Sequence, residues 1–298
     1  MSKTILLAGP FVGEIGWELL RFAPYVIHKK VKHYKNNVKL VVCTRKDRFD
    51  LYGEYADELI PLDIEGDYTK LKCDCFRLIG YDITKYDKLV MSFRNKYDGV
   101  LEHIFPKLHK KMFAKKDQFN WNEMIHDFKP RPNNKILIDN LLPKKDSIIL
   151  SPRYRKGFKR NWPYWEKLYD LIEKDSILKN YCIIICGKTP EYLPDPKNRF
   201  IDINSIEQTE GTSLVGLTIE AMKRSRLTVG TQSGLPNLSN LLGTHTLQWG
   251  HEYNQHKTTY NVKKTKCKFI RDQKYNVNPE RILNEMRIIL SGKKENIK

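Results

Sequence analysis

The sequence lacks the features that mark several classes of protein. It has no apolar stretch of the roughly 20 residues that a transmembrane helix needs. Residues 1–10, MSKTILLAGP, hold only a short apolar run without a small-residue cleavage site, which predicts a first β-strand and not a signal peptide. We therefore expect a cytoplasmic protein.

Patterns typical of metal or redox sites are also missing. Of the six cysteines, Cys43, Cys182 and Cys186 lie in or beside apolar runs, where free thiols pack as small hydrophobic groups. Cys73-Asp74-Cys75 has one intervening residue, which suits neither a zinc knuckle nor a CxxC redox motif. The eight histidines show no HExxH or paired spacing. We expect no metal and no bound cofactor, and Asp63-Ile64-Glu65 is the nearest alternative to that expectation.

Negative charge is scarce. Lys and Arg number 53 against 35 Asp and Glu, a formal net charge of +18, and both halves of the chain share the surplus. Such a surplus fits a polyanionic partner, whether nucleic acid, an anionic membrane surface or an acidic glycan. A lysine-rich composition from AT-rich coding sequence explains it equally well. No feature indicates an obligate protein partner.

One basic segment, 253–275, interleaves cations with aromatic residues. The pattern suits a nucleic-acid surface, and it suits a solvated loop equally. Its aromatic members are Tyr253, Tyr260, Phe269 and Tyr275.

Short apolar runs alternate with segments of helical spacing along the chain, which predicts parallel sheets covered by helices, an α/β fold. Turn-rich breaks at 129–134 and 143–146 divide it into an N-terminal domain, 1–140, and a C-terminal domain, 146–275. A last helix, in 276–298, is expected to pack back on the N-terminal domain. The predicted strands are 4–8, 38–43, 59–62, 88–93, 147–151, 181–186, 199–203, 227–229 and 246–249. The predicted helices are 17–30, 47–57, 163–173, 213–224, 235–242 and 278–290.

Two loops of the second half favour phosphate binding. A predicted strand ends at Gly230, and Thr231-Gln232-Ser233-Gly234 leads into a helix whose first N–H groups attract anions. The loop 151–160, SPRYRKGFKR, sets five cations behind another strand, where open α/β sheets bind ligands. An ordinary capped turn and a solvated basic loop are the simpler interpretations. Neither loop matches GxxxxGK[ST] or GxGxxG.

Together these motifs resemble the C-terminal domain of bacterial lipopolysaccharide heptosyltransferases and related GT-B glycosyltransferases. The resemblance covers residues 148–249. It rests on Ser151-Pro152-Arg153, Lys159-Arg160-Asn161-Trp162-Pro163, Gly187-Lys188-Thr189-Pro190-Glu191 and Gly230-Thr231-Gln232-Ser233-Gly234-Leu235-Pro236-Asn237. Thr231-Gln232 replaces the family's Asn-Asp, and Asn237 its His.

The resemblance implies two Rossmann-like domains and a nucleotide-diphosphate sugar held by the second. Two groups of residues receive roles in the donor site. The diphosphate would be bound by Arg153, Lys156, Lys159, Ser233 and Gly234, and the base or ribose by Gly187, Lys188 and Glu220. For Glu220 an exposed helix position is the alternative.

In related enzymes, the loop after the first strand supplies the catalytic carboxylate. Gly13-Glu14 matches that position, with Glu in place of Asp, so Glu14 is the candidate base that takes the proton of an acceptor hydroxyl. Glu18 is the second candidate, and Gly13, Gly16 and Trp17 complete the acceptor-side loop. A carboxylate that only bonds backbone N–H groups is the simpler interpretation of Glu14.

The sequence thus predicts a metal-independent, inverting glycosyltransferase with a surface or lipid-linked glycan as acceptor, working in the cytoplasm or peripherally at an anionic membrane. Two alternatives remain open. One is a glycosyltransferase acting on hydroxymethylated bases in DNA, and the other is a non-catalytic protein that binds nucleotides or nucleic acid.

Overall fold

A computed structural model of the chain describes residues 4–62, 73–74, 77–78, 82–108, 119–143, 146–153, 161–187, 200–251 and 261–291. The chain divides into two compact units. Unit 1 comprises Met1–Arg131 and Gly211–Gly216, and unit 2 comprises Pro132–Glu210 and Leu217–Lys298. No described helix is long and apolar enough to cross a membrane.

Unit 1 is built on a parallel sheet. Its elements are β1 (Ile5–Ala8), α1 (Ile15–Trp17), α2 (Ala23–His28), β2 (Lys39–Thr44), β3 (Glu58–Pro61), the hairpin strands β4 (Cys73–Asp74) and β5 (Arg77–Leu78), α3 (Ile83–Arg94) and β6 (Val100–Ile104). The main sheet has the order β3-β2-β1-β6, with every pairing parallel. Its strand order reverses between β1 and β6, so the loop that follows β1 emerges at the switch point of this sheet.

The helical region after β1 contains two π-helical turns. Glu18–Phe22 follows α1 and Lys29–His33 follows α2, so the helical stretch is continuous from 15 to 33. The predicted helix at 17–30 lies in this stretch, and 3-10 turns at Lys46–Leu51 and Gly53–Tyr55 occupy the predicted helix at 47–57. Single π turns occur often at functional sites.

The predicted strand at 88–93 is wrong, because these residues belong to α3. Asp82 caps this helix by accepting a hydrogen bond from the Thr84 N–H at 2.6 Å. Tyr86, Val90 and Phe93 are buried at helical spacing, so one apolar face outweighs the strand preference of the local residues. The strand of this region is β6, which the sequence did not reveal.

Unit 2 is built on a larger parallel sheet. Its elements are α4 (Pro132–Leu141), β7 (Ser147–Ser151), α5 (Trp165–Lys174), β8 (Cys182–Ile185), β9 (Phe200–Asp202), α6 (Leu214–Arg224), β10 (Ser225–Thr231), α7 (Gly234–Leu242), β11 (His245–Gly250), β12 (Cys267–Arg271) and α8 (Pro279–Ser291). The order is β12-β11-β10-β7-β8-β9, all parallel. Counted along the chain from β7, this is the Rossmann order 3-2-1-4-5-6, which confirms the predicted α/β class.

One face of this sheet packs on α5 and α8 around three tryptophans. Trp162, Trp165 and Trp249 are each fully buried, with ring centroids 4.8–5.6 Å apart. The Trp162 indole N–H donates to the Val277 carbonyl at 2.8 Å, which ties the segment before α5 to the segment before α8. Cys43, Cys182 and Cys186 are buried, as predicted.

The last helix, α8, has its contacts in unit 2. The sequence predicts packing on the N-terminal domain instead. In the structure its buried residues Ile282, Leu283 and Met286 join the tryptophan core, and its neighbours are α5, β10 and β11. Arg287 pairs with the buried Asp175 just beyond α5, which fixes α8 against that helix.

Candidate active site

The switch point of the unit 2 sheet lies between β7 and β10, and two predicted donor-binding loops begin there. Arg153 follows β7, and Thr231-Gln232-Ser233 leads from β10 into α7. The Arg153 guanidinium donates to the Gln232 carbonyl oxygen at 3.0 Å. A cation is therefore held beside the start of a helix, where the N–H groups of the first turn have no partner within the helix.

Glycines allow the close packing of these strand ends. A Cβ at Gly230 would lie 3.0 Å from the Ser151 carbonyl oxygen and 3.0 Å from the Pro236 ring. Gly187, just after β8, has a φ of +105°, and a Cβ there would lie 2.9 Å from the Pro152 carbonyl oxygen. Both glycines are thus required by the packing, and the predicted base-side residue Gly187 lies directly beside the β7 loop.

Ser233 begins α7 without capping it through its side chain. Its backbone is extended, with φ −158° and ψ 178°, and its hydroxyl accepts no hydrogen bond from the first turn. Ser233 and Gly234 are both half-buried at this helix start.

The Gln232 side chain is fixed by groups from the next two strand ends. Its Oε1 accepts from the His251 N–H at 3.0 Å and from the Tyr275 hydroxyl at 3.4 Å. Gly250 leaves the room for this arrangement, because a Cβ there would lie 2.6 Å from the Gln232 Cβ. In the sequence, Gln232 stands out only as a departure from the family pattern. The structure makes it the residue that joins three loops at the carboxyl edge of the sheet.

Glu220 is the candidate ribose ligand on the donor side. Glu220 lies on α6 and is buried, with its carboxylate paired to Lys223 at 2.9 Å, so it is not the exposed helix residue of the simpler interpretation. Its role toward a ribose stays a prediction. Lys156, Lys159 and Lys188 lie outside the described residues.

In unit 1 the loop after β1 is tied down by side chains from three other elements. The His103 Nε2 lies 2.7 Å from the Gly9 carbonyl oxygen, and the Tyr86 hydroxyl donates to the Pro10 carbonyl at 3.1 Å. Burial lowers the pKa of His103, which favours the neutral imidazole as the donor in this contact. Arg48 donates to the Gly13 carbonyl at 2.8 Å.

Glu14 stands at the start of the helix that follows this loop. It is half-buried, its ψ of 142° is extended, and its carbonyl accepts from the Trp17 and Glu18 N–H groups. Its side chain does not cap α1. Gly13 is buried, whereas Gly16 and Trp17 are half-buried, and a Cβ at Gly16 would meet no atom within 4 Å.

Glu18, the second candidate base, is completely buried. Its carboxylate accepts from the Thr44 hydroxyl at 2.6 Å, the Tyr52 hydroxyl at 2.8 Å and Arg48 at 2.9 Å. Burial raises the pKa of Glu18, while the Arg48 charge and the hydrogen bonds act in the opposite direction. A carboxylate enclosed in this way is a structural group rather than one positioned to meet an acceptor.

The aromatic residues of the basic segment 253–275 are only partly within the described ranges. Phe269 and Tyr275 are buried in unit 2, which removes two of the four aromatic rings from the supposed nucleic-acid surface. Tyr253 and Tyr260 lie outside the described ranges.

The alternative metal site, Asp63-Ile64-Glu65, also lies outside the described ranges. Within the described ranges, no group of three or more His, Cys, Asp or Glu side chains could hold a metal ion.

Comparison with known proteins relates this architecture to solved structures. ADP-heptose lipopolysaccharide heptosyltransferase II of E. coli superposes with a TM-score of 0.57 and 14% identity, over 97% of this chain and 99% of that one. A glycosyl transferase family 9 protein from Veillonella parvula DSM 2008 gives 0.58 and 13%, over 98% of each chain. The chain has a GT-B fold. E. coli heptosyltransferase WaaC with ADP gives 0.51 and 11%, over 95% of this chain and 99% of WaaC.

These likenesses extend over nearly the whole chain, at identities that establish the fold alone. No protein-family model matches the sequence, and a search of curated proteins also gives no match. The chemistry must therefore be argued from the residues at the two switch points.

Proposed function

We propose that this GT-B protein is an inverting, metal-independent glycosyltransferase that moves a sugar from a nucleotide-diphosphate donor to an acceptor hydroxyl. The observation that carries the proposal is the contact of Arg153 with the turn that opens α7, at the switch point of the unit 2 sheet. Ligands of open α/β sheets bind at such a point. The family resemblance and the shared fold agree with this site.

The leaving group in this reaction is a nucleoside diphosphate, on which negative charge develops as the glycosidic bond breaks. Arg153 offers charge-assisted hydrogen bonds to phosphate oxygens, and the first N–H groups of α7 add a fixed positive potential. Both are in place before the reaction, which is the condition for electrostatic stabilisation of a transition state. Lys156 and Lys159, on the same loop as Arg153, would add mobile charge.

The acceptor hydroxyl needs a base, and Glu14 is our candidate. It follows a loop whose carbonyl groups are held by His103, Tyr86 and Arg48, so the backbone before it is preorganised. A carboxylate at the switch point of the first sheet would take the acceptor proton while the diphosphate leaves from the opposite face of the sugar. Attack of the acceptor on the face opposite the leaving diphosphate would invert the anomeric carbon.

The acceptor we propose is a surface or lipid-linked glycan. The names of two structural neighbours, a lipopolysaccharide heptosyltransferase and an ADP-bound heptosyltransferase, support this class. The burial of Phe269 and Tyr275 weakens the competing proposal of DNA as the acceptor, because stacking on bases needs exposed rings. A glycan acceptor also fits the net positive charge if the glycan is acidic.

Substitution of Arg153 tests the donor site. Arg153→Ala should weaken donor binding about 10–100-fold, because a hydrogen bond to a charged group contributes about 1.5–3 kcal/mol. The matched control is Arg226→Ala, which removes an exposed arginine of β10 that pairs with Asp146 at the surface of unit 2. Release of nucleoside diphosphate from a panel of nucleotide sugars gives the KM. Equal KM values for the two variants would refute the donor site.

Substitution of Glu14 tests the base. Glu14→Gln should abolish transfer and leave donor affinity nearly unchanged. The control Glu54→Gln, at an exposed carboxylate of the same unit, should change neither transfer nor donor affinity. Anomeric configuration of the product, read by NMR, tests inversion. A Glu14→Gln variant with wild-type turnover would assign the chemistry to another residue, and turnover abolished by EDTA would refute metal independence.

A further inference from the structure

Arg48 is shared between a buried carboxylate and the peptide that precedes Glu14. One nitrogen, Nη1, donates to Glu18 at 2.9 Å and to the Gly13 carbonyl at 2.8 Å. The side chains of Arg48 and Glu18 are 4% and 0% exposed. The contact therefore joins residues 35 positions apart through a pair from which water is excluded.

The carbonyl that Arg48 holds belongs to the peptide unit whose nitrogen is that of Glu14. Fixing that oxygen fixes the plane of the peptide, which leaves the Glu14 backbone one less rotation to explore. The other carbonyls of the loop, at Gly9 and Pro10, are bonded by His103 and Tyr86 near β1. Arg48 alone among these three side chains reaches the peptide next to the candidate base.

A buried ion pair by itself usually contributes little to stability. Removing two charges from water costs several kcal/mol per ion, and apolar side chains of the same volume are often as stable or more stable. The Thr44 and Tyr52 hydroxyls that also bond Glu18 offset part of this cost. Stability alone therefore does not explain the Glu18–Arg48 pair, whereas the contact with Gly13 gives it a second role.

We propose that the Glu18–Arg48 pair is a positioning device for Glu14, with Glu18 orienting Arg48 and Arg48 holding the Gly13 carbonyl. This inference rests on the proposed function, since it assigns to Glu14 the base that the reaction needs. It gives Glu18, the weaker candidate base, a different part in the same site.

The test compares Arg48→Met with Tyr52→Phe. Both remove a hydrogen bond from the Glu18 carboxylate, but only the first also releases the Gly13 carbonyl. Arg48→Met should lower kcat about 100-fold, the cost of a misplacement of about 1 Å, and leave the affinity for the nucleoside diphosphate unchanged. Arg48→Lys should recover part of kcat, and Tyr52→Phe should change kcat little.

Amide hydrogen exchange provides a readout independent of activity. The Trp17 and Glu18 N–H groups bond the Glu14 carbonyl, so they report order in the turn that Glu14 opens. Both should exchange faster in Arg48→Met and at the wild-type rate in Tyr52→Phe. Unchanged exchange in Arg48→Met would overturn the proposal, even if the chain proved to transfer no sugar.

A double variant separates positioning from stability if Arg48→Met folds poorly. Glu18→Met with Arg48→Met removes both charges together, which should restore folding without restoring the Gly13 contact. Turnover should then stay low in a stable protein. Recovery of kcat in the double variant, or an equal loss in Tyr52→Phe, would show that the pair acts only through stability. A wild-type protein without transfer from any donor would refute the proposed function instead.

Discussion

Asp175 is expected to be a major electrostatic contributor to the stability of unit 2. One carboxylate oxygen accepts from the Ile177 and Leu178 N–H groups at 2.9 and 2.7 Å, and the other accepts from Arg287. Asp175 is only 3% exposed. Asp175→Asn keeps the shape but removes the charge from these bonds, each of which contributes about 1.5–3 kcal/mol when one partner is charged.

Because an amide still accepts from the backbone, we expect a net loss near the value of one such bond, about 2–3 kcal/mol at pH 7. For a unit of this size that loss lowers Tm by roughly 4–12 °C. The control is Asp146→Asn, which breaks an exposed pair with Arg226 and should cost at most about 1 kcal/mol. Thermal unfolding followed by circular dichroism measures the Tm of both variants.

The pH dependence distinguishes charge from shape. Burial alone would raise the pKa of Asp175, but the Leu178 N–H, Arg287 and the Ile177 N–H together hold it below its ordinary value of 3.8. The unfolded chain therefore binds the proton more tightly, so the stabilisation is complete above pH 3.8 and is lost as pH falls through the lower folded pKa. The difference in the free energy of unfolding between wild type and Asp175→Asn should shrink steadily below pH 4. A difference of constant size would refute the electrostatic account.

Two further predictions concern packing. Trp162→Phe should destabilise the chain more than Trp165→Phe, by about 1–3 kcal/mol, because it also leaves the Val277 carbonyl without its donor, whereas the Trp165 indole nitrogen has no hydrogen-bond partner in the described structure. Equal denaturation midpoints would contradict this. Gly9→Ala should prevent unit 1 from folding normally, because φ is +94° and the new Cβ would lie 2.2 Å from the Cys43 carbonyl oxygen. A variant with wild-type near-UV circular dichroism would disprove it.

Much of the fold could be predicted because its strands are short apolar runs bounded by turn residues. β7 was predicted to the residue, and α7 and β11 nearly so, since each lies between clear breaks, whereas only the middle of β10 was predicted. Two of the missed strands, β6 and β12, lack that signal. Both are edge strands, and the sequence of β12, CKFIR, carries charges that suit an exposed edge but disguise a strand.

The site could be predicted only where its chemistry is local. Gly230 and Ser233 stand in one strand-to-helix turn, which a short motif can indicate. Arg48 and His103 act on carbonyl groups 35 and 94 residues away, and no spacing in the sequence relates those positions. Their contacts depend on the tertiary arrangement of β1, β6 and the turn after β2. A buried Arg–Glu pair joined to a glycine carbonyl therefore appears only once the fold is known.

The most direct test of the account is thermal stabilisation by nucleoside diphosphates. Unfolding is followed with UDP, GDP, ADP and CDP, and with their sugars, each with and without EDTA. One diphosphate at a hundredfold excess over its Kd should raise Tm by about 5–10 °C, because a ligand that binds only the folded state stabilises it by about 2.7 kcal/mol at that concentration. The shift should survive EDTA and persist in Arg226→Ala. At the same concentration it should fall to roughly 1–6 °C in Arg153→Ala, because a ligand bound 10–100-fold more weakly still stabilises the folded state by about 0.4–1.4 kcal/mol. No shift with any diphosphate, or an equal shift in Arg153→Ala, would contradict the donor site on which the proposed function rests.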